Sequence, residues 1–338
     1  LATDGPFASS WQDWKIAVEW GADFYDGDGD GIYNPIDLNN DGVWNANEDR
    51  PDLLGDITTY CVYNDAVPSG LRRFSNITPK GIEIRQTAFV FRSQGAAEDN
   101  IFVRYRIINK GTVADRFDSV YFTSAMDHDL GDYTDDLVGC DTILSLSYAY
   151  NKGPDAQAVV NAPAVYNMII QGPAAYIPGE TFIDANNNGF FDFGETPLTL
   201  ATYKRGGVLG IDSMPGARNL SMTSFNPAFF FQGHEPWTHF DYREFQKGNY
   251  LSRRGSTPCS WIFGSGQLFP NECGSWNPLF MYAGNPVNST GWYDITPIDQ
   301  RSMANMGPFT LEKNKPVDII VVIGAARDSL TSLGSIDQ

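Results

Sequence analysis

IFVRYRIINKG, residues 101–111, decides the fold class. Ile101, Val103, Tyr105 and Ile107 alternate with Phe102, Arg104 and Arg106, the period-two pattern of a strand with one face on a core. Asn109-Lys110-Gly111 ends it with turn residues. Outward from this segment lie runs of the same kind. Upstream are Ile57 to Asn64 and Gly81 to Phe91, the latter with Ile82, Ile84 and Val90 on one face. Downstream are Phe117 to Ala125, Thr142 to Tyr150, Val165 to Gln171, Val208 to Ile211 and Val317 to Ala325. Many short strands without interleaved helices indicate a sandwich rather than a parallel α/β sheet. The expected class is therefore all-β, sandwich-like, with long loops and a few short helices.

Three helices are expected. Residues 9–20 carry Trp11, Trp14, Ile16, Val18 and Trp20 on an amphipathic frame, with Ser10 as a cap. A second runs from Trp237 to Gln246, and a third from Pro297 to Asn305. Residues 225–300 otherwise read as an irregular, aromatic-rich elaboration. The expected organisation is an N-terminal segment (1–56) and a sandwich body (57–338), interrupted by an insertion at 176–200, in one compact unit.

The formal charge is −18, from 41 acids against 23 bases, which argues against a nucleic-acid partner because phosphate binding needs a basic face. Aromatic residues at 14% and charged residues at 19% exclude disorder. No apolar run reaches the roughly 18 residues of a membrane span. No signal peptide precedes Leu1, the expectation for the mature form of an exported chain. Cys61, Cys140, Cys259 and Cys273 permit three pairings; a bond between the last two closes a short ring.

The acids cluster in a pattern that suits a hard cation. Asp26, Asp28 and Asp30 alternate, Gly31 follows, Ile32 offers a carbonyl and Asp37 falls at position 12, the EF-hand ligand spacing. The pattern restarts at Asp37, with Asn39, Asp41, Gly42, the Val43 carbonyl and Glu48. It recurs at Asp184, with Asn186, Asn188, Gly189, the Phe190 carbonyl, Asp192 at position 9 and Glu195. One such loop is an ordinary Asp/Asn turn; three copies, each with an acid at position 12, point to Ca²⁺. Asp37, shared between two loops, implies two close ions, an arrangement similar to thrombospondin type 3 repeats. A further cluster, Asp127, Asp129, Asp132, Asp135 and Asp136 around His128, matches no standard loop; it either completes another loop's coordination or forms a solvated turn.

No catalytic constellation is expected. His234 and His239 superficially suggest a zinc protease, but the second histidine falls one residue late and Pro236 breaks the helix that motif requires. No GxSxG elbow, P-loop or dinucleotide fingerprint occurs. Trp237, Trp261, Trp276, Trp292, Phe229, Phe230, Phe231 and Tyr282 read mainly as a satellite core under long loops, with part of the 229–231 run meeting a partner.

The segments FYDGDGDGIYNPIDLNNDGVWNANEDRPDLLGD (24–56), GIEIRQTAFVF (81–91), IFVRYRIINKG (101–111), DHDLGDYTDDLVGCDT (127–142) and YIPGETFIDANNNGFFD (176–192) resemble secreted proteins of Bacteroidetes- and Ignavibacteria-type bacteria. Precursors in that family end in a type IX secretion sorting domain; none is read in this sequence, so the resemblance implies either its removal on export or a truncated chain. The resemblance implies export, a calcium-loaded surface protein and a mostly β fold, without implying an activity. It also implies O-glycosylation at Asp118-Ser119-Val120, Asp141-Thr142-Ile143, Asp212-Ser213-Met214 and Asp328-Ser329-Leu330. The expectation is an extracellular, calcium-stabilised structural protein that self-assembles into a filament, tube or surface layer, with Leu1 to Ser9 and Ser329 to Gln338 packing on a neighbour. The alternative is a surface adhesin stacking glycans on aromatics of 225–292; the third is a polysaccharide-acting enzyme with a carboxylate pair in a cleft.

Overall fold

The computed structural model describes residues 4–92, 95, 97–155, 157, 161–229, 236–250 and 257–338. The principal strands are β1 (Ile57–Asn64), β2 (Ile82–Val90), β3 (Asn100–Asn109), β4 (Arg116–Asp127), β5 (Leu137–Asp141), β6 (Leu146–Tyr150), β7 (Ala164–Gln171), β8 (Ser224–Phe229), β9 (Gln300–Glu312) and β10 (Val317–Ala326). Seven form one antiparallel sheet in the order β1-β2-β3-β10-β7-β6-β5, and three form a second in the order β8-β9-β4. Val103 and Ile107 of β3, Ile319 and Val321 of β10 and Ile169 of β7 pack in one core with Phe225 and Phe229 of β8 and Met303, Met306 and Leu311 of β9. The two sheets thus share their apolar faces, as the alternation in 101–108 predicts. The fold is an all-β sandwich.

Several segments depart from the sequence reading. Residues 300–305 are not helical but open β9, and β8 lies beside them. Both segments are buried along almost their whole length, because the large sheet covers one side of the small sheet and α2 (His239–Gln246) the other. A strand buried on both faces shows no alternation, so period alone does not mark it. The α2 end is pinned by Asn226 and Asn305, whose side-chain amides both donate to the Phe245 carbonyl, at 2.6 and 3.1 Å. It starts at His239 rather than Trp237, with Thr238 as the N-cap in a capping box with Asp241.

Residues 142–145 turn between β5 and β6, so the strand expected at 142–150 begins at Leu146 and a further strand, β5, precedes the turn. Residues 208–210 are the turn of a hairpin between Leu200–Lys204 and Ile211–Pro215. Helix α1 (Ser9–Glu19) has Ala8 at its N-cap with no side-chain bond, and the Ser10 hydroxyl makes none. Cys259 and Cys273 are bonded, while Cys61 is free and exposed and Cys140 free and buried. Part of the 329–338 tail folds back on its own sheet. Leu333 and Ile336 pack on Leu137, Tyr148, Tyr150 and Ala164 of this same chain.

The outer face of β3 explains how the N-terminal segment is held. Arg106 binds Asp23 at 2.8 Å and Asp318 at 2.9 Å, and Arg104 reaches Asp23 at 3.4 Å. Arg104 and Arg106 are only 5% and 8% exposed, so this face is covered rather than solvated. Tyr60 of β1 adds a bond to the Trp20 carbonyl at 3.1 Å.

Candidate metal centres

Each acidic loop folds by turning its own amides toward its first carboxylate. In 37–48, Asp37 accepts from the amides of Asp41 and Gly42 at 3.2 and 2.8 Å, Asn39 from Asp41 at 3.1 Å, and Asp41 from Val43 at 2.7 Å. Glu48 spreads its two oxygens over the amides of Leu38 and Asn45, both at 2.8 Å. Loop 184–195 follows the same scheme. Asp184 accepts from Asn188 and Gly189 at 3.1 and 2.8 Å, Asn186 from Asn188 at 3.0 Å, and Asn188 from Phe190 at 2.8 Å. Glu195 bridges Ala185 and Asp192, both at 2.9 Å.

The loop beginning at Asp26 follows a closely related scheme, its first carboxylate meeting the amide three residues on rather than four. Asp26 accepts from Gly29 and Gly31 at 2.8 and 2.9 Å, Asp28 from Asp30 at 3.1 Å, and Asp30 from Ile32 at 2.7 Å. The bridging carboxylate, however, is Asp49, which takes the amides of Gly27 and Asn34 at 2.9 and 2.7 Å. These amides sit one and eight residues after the loop's first aspartate, as in the other two loops. The backbone agrees: the fourth and sixth positions have positive φ throughout, at Gly29 and Gly31 (76° each), Asn40 and Gly42 (61° and 72°), and Asn187 and Gly189 (56° and 82°).

The acid that bridges the amides of the first loop is therefore Asp49, while the Asp37 carboxylate takes amides of the second loop. The cause is the short strand pair that closes the segment. Tyr25 lies opposite Arg50 and Phe24 opposite Pro51, which sets Asp49 over the start of the first loop. Gly27 permits the approach, since a Cβ there would stand 2.4 Å from the Glu48 backbone. The consecutive acids Glu48 and Asp49, each 2% exposed, thus serve one loop each.

Asp26, Asp28 and Asp49 present oxygens within 4.8 Å of one another, close enough to hold a metal ion. Among the described residues no lysine or arginine pairs with a carboxylate of these loops. The amide of Asp30 lowers the Asp28 carboxyl, but desolvation and the charges of Asp30, Asp49 and Asp26 leave it raised overall. The Val43 amide and the Asn39 and Asn45 side chains lower Asp41, and Asn186 and Asn188 lower Asp192. The donor set is all oxygen, crowded and lacking internal counter-charge, which fits a hard divalent cation.

The 127–136 cluster does not complete any of these loops. Asp127 and Asp129 instead lie within 4.8 Å of Asp299. Asp132 turns onto the Thr134 amide and hydroxyl at 3.0 and 2.7 Å. His128 is buried against the Ser302 hydroxyl at 2.8 Å, and burial pulls it down to about 4. Sequence reasoning missed Asp294, 1% exposed, whose carboxyl burial pushes up to about 7 against bonds from Thr296, Gln300 and Val138.

The aromatic elaboration is mostly interior. Phe229, Trp261, Tyr282 and Trp292 belong to the main core itself, not to a satellite core under long loops, and Trp276 packs against it. Phe230, Phe231, His234 and Glu235 lie outside the described residues. Trp237 and Phe240 are 61% and 58% exposed. No helix of the described residues is long and apolar enough to cross a membrane. No protein-family model, curated protein or solved structure matches this chain.

Proposed function

We propose that this chain is an extracellular structural protein whose fold is stiffened by Ca²⁺ in its three acidic loops and which assembles with copies of itself. The observation that carries the calcium reading is the shared hydrogen-bond scheme of three loops whose carboxylates have no basic partner among the described residues. Calcium suits them better than magnesium because a bidentate acid and a main-chain carbonyl in a flexible loop give the higher coordination number it takes. Bound metal then acts as a brace. The first two loops join α1 to β1, and the third anchors through Phe191, which packs on Tyr176 and Phe182.

Support for self-assembly comes from the edge of the large sheet. Strand β1 is eight residues long (ITTYCVYN), lacks charge and proline, and has no partner on its outer side among the described residues. Native edges are commonly blunted by charge, proline or short length, since an open one templates pairing with another chain. Exposed Thr59, Cys61 and Tyr63 leave room for a second copy. The resemblance to secreted surface proteins and the exposed hydroxyls of Ser119, Thr142, Ser213 and Ser329 accord with export and glycosylation. Electron microscopy and sedimentation of purified protein, with calcium and with chelator, test the reading. Ordered polymers are expected in calcium; monomers at every concentration in both conditions overturn assembly.

A second reading, glycan adhesion, draws on one observation. Exposed Phe240 joins a ring cluster of Phe74, His239 and Tyr242, and Trp237, two residues before His239, is exposed as well, a surface on which a sugar can stack. A glycan-array signal lost in Trp237→Ala, without polymers, favours it.

A further inference from the structure

Of the four cysteines, one presents a free thiol at the surface. Cys259 and Cys273 are bonded, the mark of a chain that matures under oxidising conditions. Cys140 is free but only 2% exposed, whereas Cys61 is free and exposed. Cys61 lies on β1 and Cys140 on β5, at opposite ends of the seven-stranded sheet. Six strand spacings of about 4.8 Å put them about 29 Å apart, far beyond the roughly 7 Å a disulfide spans between Cα atoms. Any partner for the Cys61 thiol therefore comes from outside the chain.

The hydrogen-bond phase of β1 shows which partner fits. The Asp65 amide donates to the Ile82 carbonyl, and the pairing runs on in the same register from Asn64 with Glu83 to Ile57 with Val90. Antiparallel partners alternate between hydrogen-bonded and open pairs, so Tyr63, Cys61 and Thr59 turn their main-chain groups inward to β2. Thr58, Tyr60, Val62 and Asn64 turn theirs to the open side. A second β1, antiparallel and with Cys61 opposite Cys61, matches this edge to itself. Tyr60 and Val62 exchange hydrogen bonds with Val62 and Tyr60 of the copy, and Thr58 with its Asn64. Cys61 then sits in an open pair, whose Cα atoms stand about 4.5 Å apart, within disulfide range. Thr59, Cys61 and Tyr63 share one face and all are exposed, so the two thiols meet unobstructed by the core.

Area decides what holds such a pair. The eight residues of β1 make an edge roughly 27 Å long, which at a sheet thickness of about 10 Å buries roughly 270 Å² on each copy. Trp20, whose carbonyl accepts from Tyr60, is 59% exposed and Tyr63 is 42% exposed; their open parts add about 100 Å² each. The total of about 900 Å² over both copies falls short of the roughly 1,200–2,000 Å² of a stable interface. An occupant without a thiol at this position would not stay.

We propose that two copies join through antiparallel β1 strands locked by a Cys61–Cys61 disulfide. This rests on the reading of β1 as an assembly edge and names its occupant and its chemistry. The twofold pairing closes on itself, so it makes a dimer from which polymers grow through other faces. The oxidant is a small-molecule disulfide. One Cys61 thiolate attacks it, forming a mixed disulfide and expelling one thiolate; the second copy's thiolate attacks the Cys61 sulfur of that mixed disulfide and expels the other. Two protein thiols are oxidised, one small disulfide is reduced to two thiols, and the two thiol protons pass to the expelled sulfurs.

Incubating the full chain in calcium with oxidised glutathione, followed by sedimentation and non-reducing electrophoresis, tests it. A dimer joined at Cys61 is expected, forming at least tenfold faster than in urea-unfolded chain, while Cys61→Ser stays monomeric at concentrations where the wild type is dimeric. Register is read from Cys61→Ser chains that carry Thr59→Cys or Tyr63→Cys. An equal mixture should cross-link at least tenfold more than either chain alone, because residue 59 faces residue 63 and not itself. Equal cross-linking of either chain alone, or a wild-type bond formed no faster folded than unfolded, overturns the proposal. Dimers or polymers of unchanged stability in Cys61→Ser overturn the bond and leave the edge reading standing. Wild-type monomers at every concentration, oxidised or reduced, overturn both.

Discussion

Replacing Asp49 by asparagine tests the assignment of the bridging acid in the first loop. The carboxylate accepts the amides of Gly27 and Asn34 at 2.9 and 2.7 Å and is 2% exposed. Asparagine keeps one oxygen but turns an NH₂ toward the other amide, so one charge-assisted bond is lost outright. That loss costs about 2–3 kcal/mol whether or not metal is present. A structural ion held at about a hundredfold over its dissociation constant adds roughly 2.7 kcal/mol, and this contribution disappears only in calcium. Unfolding entropy near 2.1 cal/mol/K per residue comes to roughly 0.7 kcal/mol/K over 338 residues. The variant should therefore melt about 3–4 °C lower in chelator and about 7 °C lower in calcium. The assay is differential scanning calorimetry in both buffers, with Asp37→Asn alongside. The decisive quantity is the rise in Tm on adding calcium, which Asp49→Asn should reduce by about 4 °C. A calcium-induced rise equal to that of the wild type refutes the reasoning, since Asp49 would then hold amides and nothing else.

Chelation of the wild-type chain should lower Tm by about 10 °C if three ions of this strength leave, read by the same calorimetry; an unchanged melt removes the structural role of metal. Arg106→Met leaves Asp23 and Asp318 buried without their shared partner and should cost about 3–5 kcal/mol in urea unfolding. Asp294 has a folded-state value of about 7, well above an unfolded aspartate. Its contribution to stability is complete below about pH 4 and is lost as pH rises through 7. In chelator, Asp294→Asn should remove that loss, up to roughly 4 kcal/mol between pH 4 and 8, whereas His128, depressed by burial, contributes stability that is lost as pH falls from about 6.5 to 4. Cys61→Lys places a charge on the exposed edge of β1 and should abolish polymers with little change in Tm; polymers indifferent to it exclude that edge.

How far the sequence carries the structure depends on whether a residue's environment is set by its neighbours in the chain. The core face of β3 was legible because Val103 and Ile107 recur at the period of a strand. Its opposite face, with Arg104 and Arg106, reads equally well as solvent-facing. Only the return of Asp23 and Asp318 from distant segments makes it a buried ion network. The same limit divides the loops. Side chains that meet within one loop, such as Asp184, Asn186, Asn188 and Glu195, follow from spacing, because local turns converge alternate side chains. Asp49 does not, because its place over Gly27 depends on the pairing of Tyr25 with Arg50. A signal was nonetheless present: two consecutive acids, Glu48 and Asp49, close two consecutive loops, so each loop has its own bridging carboxylate without sharing Asp37.

Asp136 and Asp294 lie beyond any such local rule. Nothing in the spacing of Asp127, Asp129, Asp132, Asp135 and Asp136 singles out the one acid that β9 and the segment before it bury, and Asp294 has no pattern around it at all. Burial of these carboxylates follows from β9, the strand whose doubly covered sequence hid its nature. Gln300, at its head, donates to both the Asp136 carbonyl and the Asp294 carboxylate. Reading 297–305 as a helix therefore dispersed the very residues that β9 gathers. A strand without alternation, between two layers, was the element on which both the second sheet and the acidic group at its end depended.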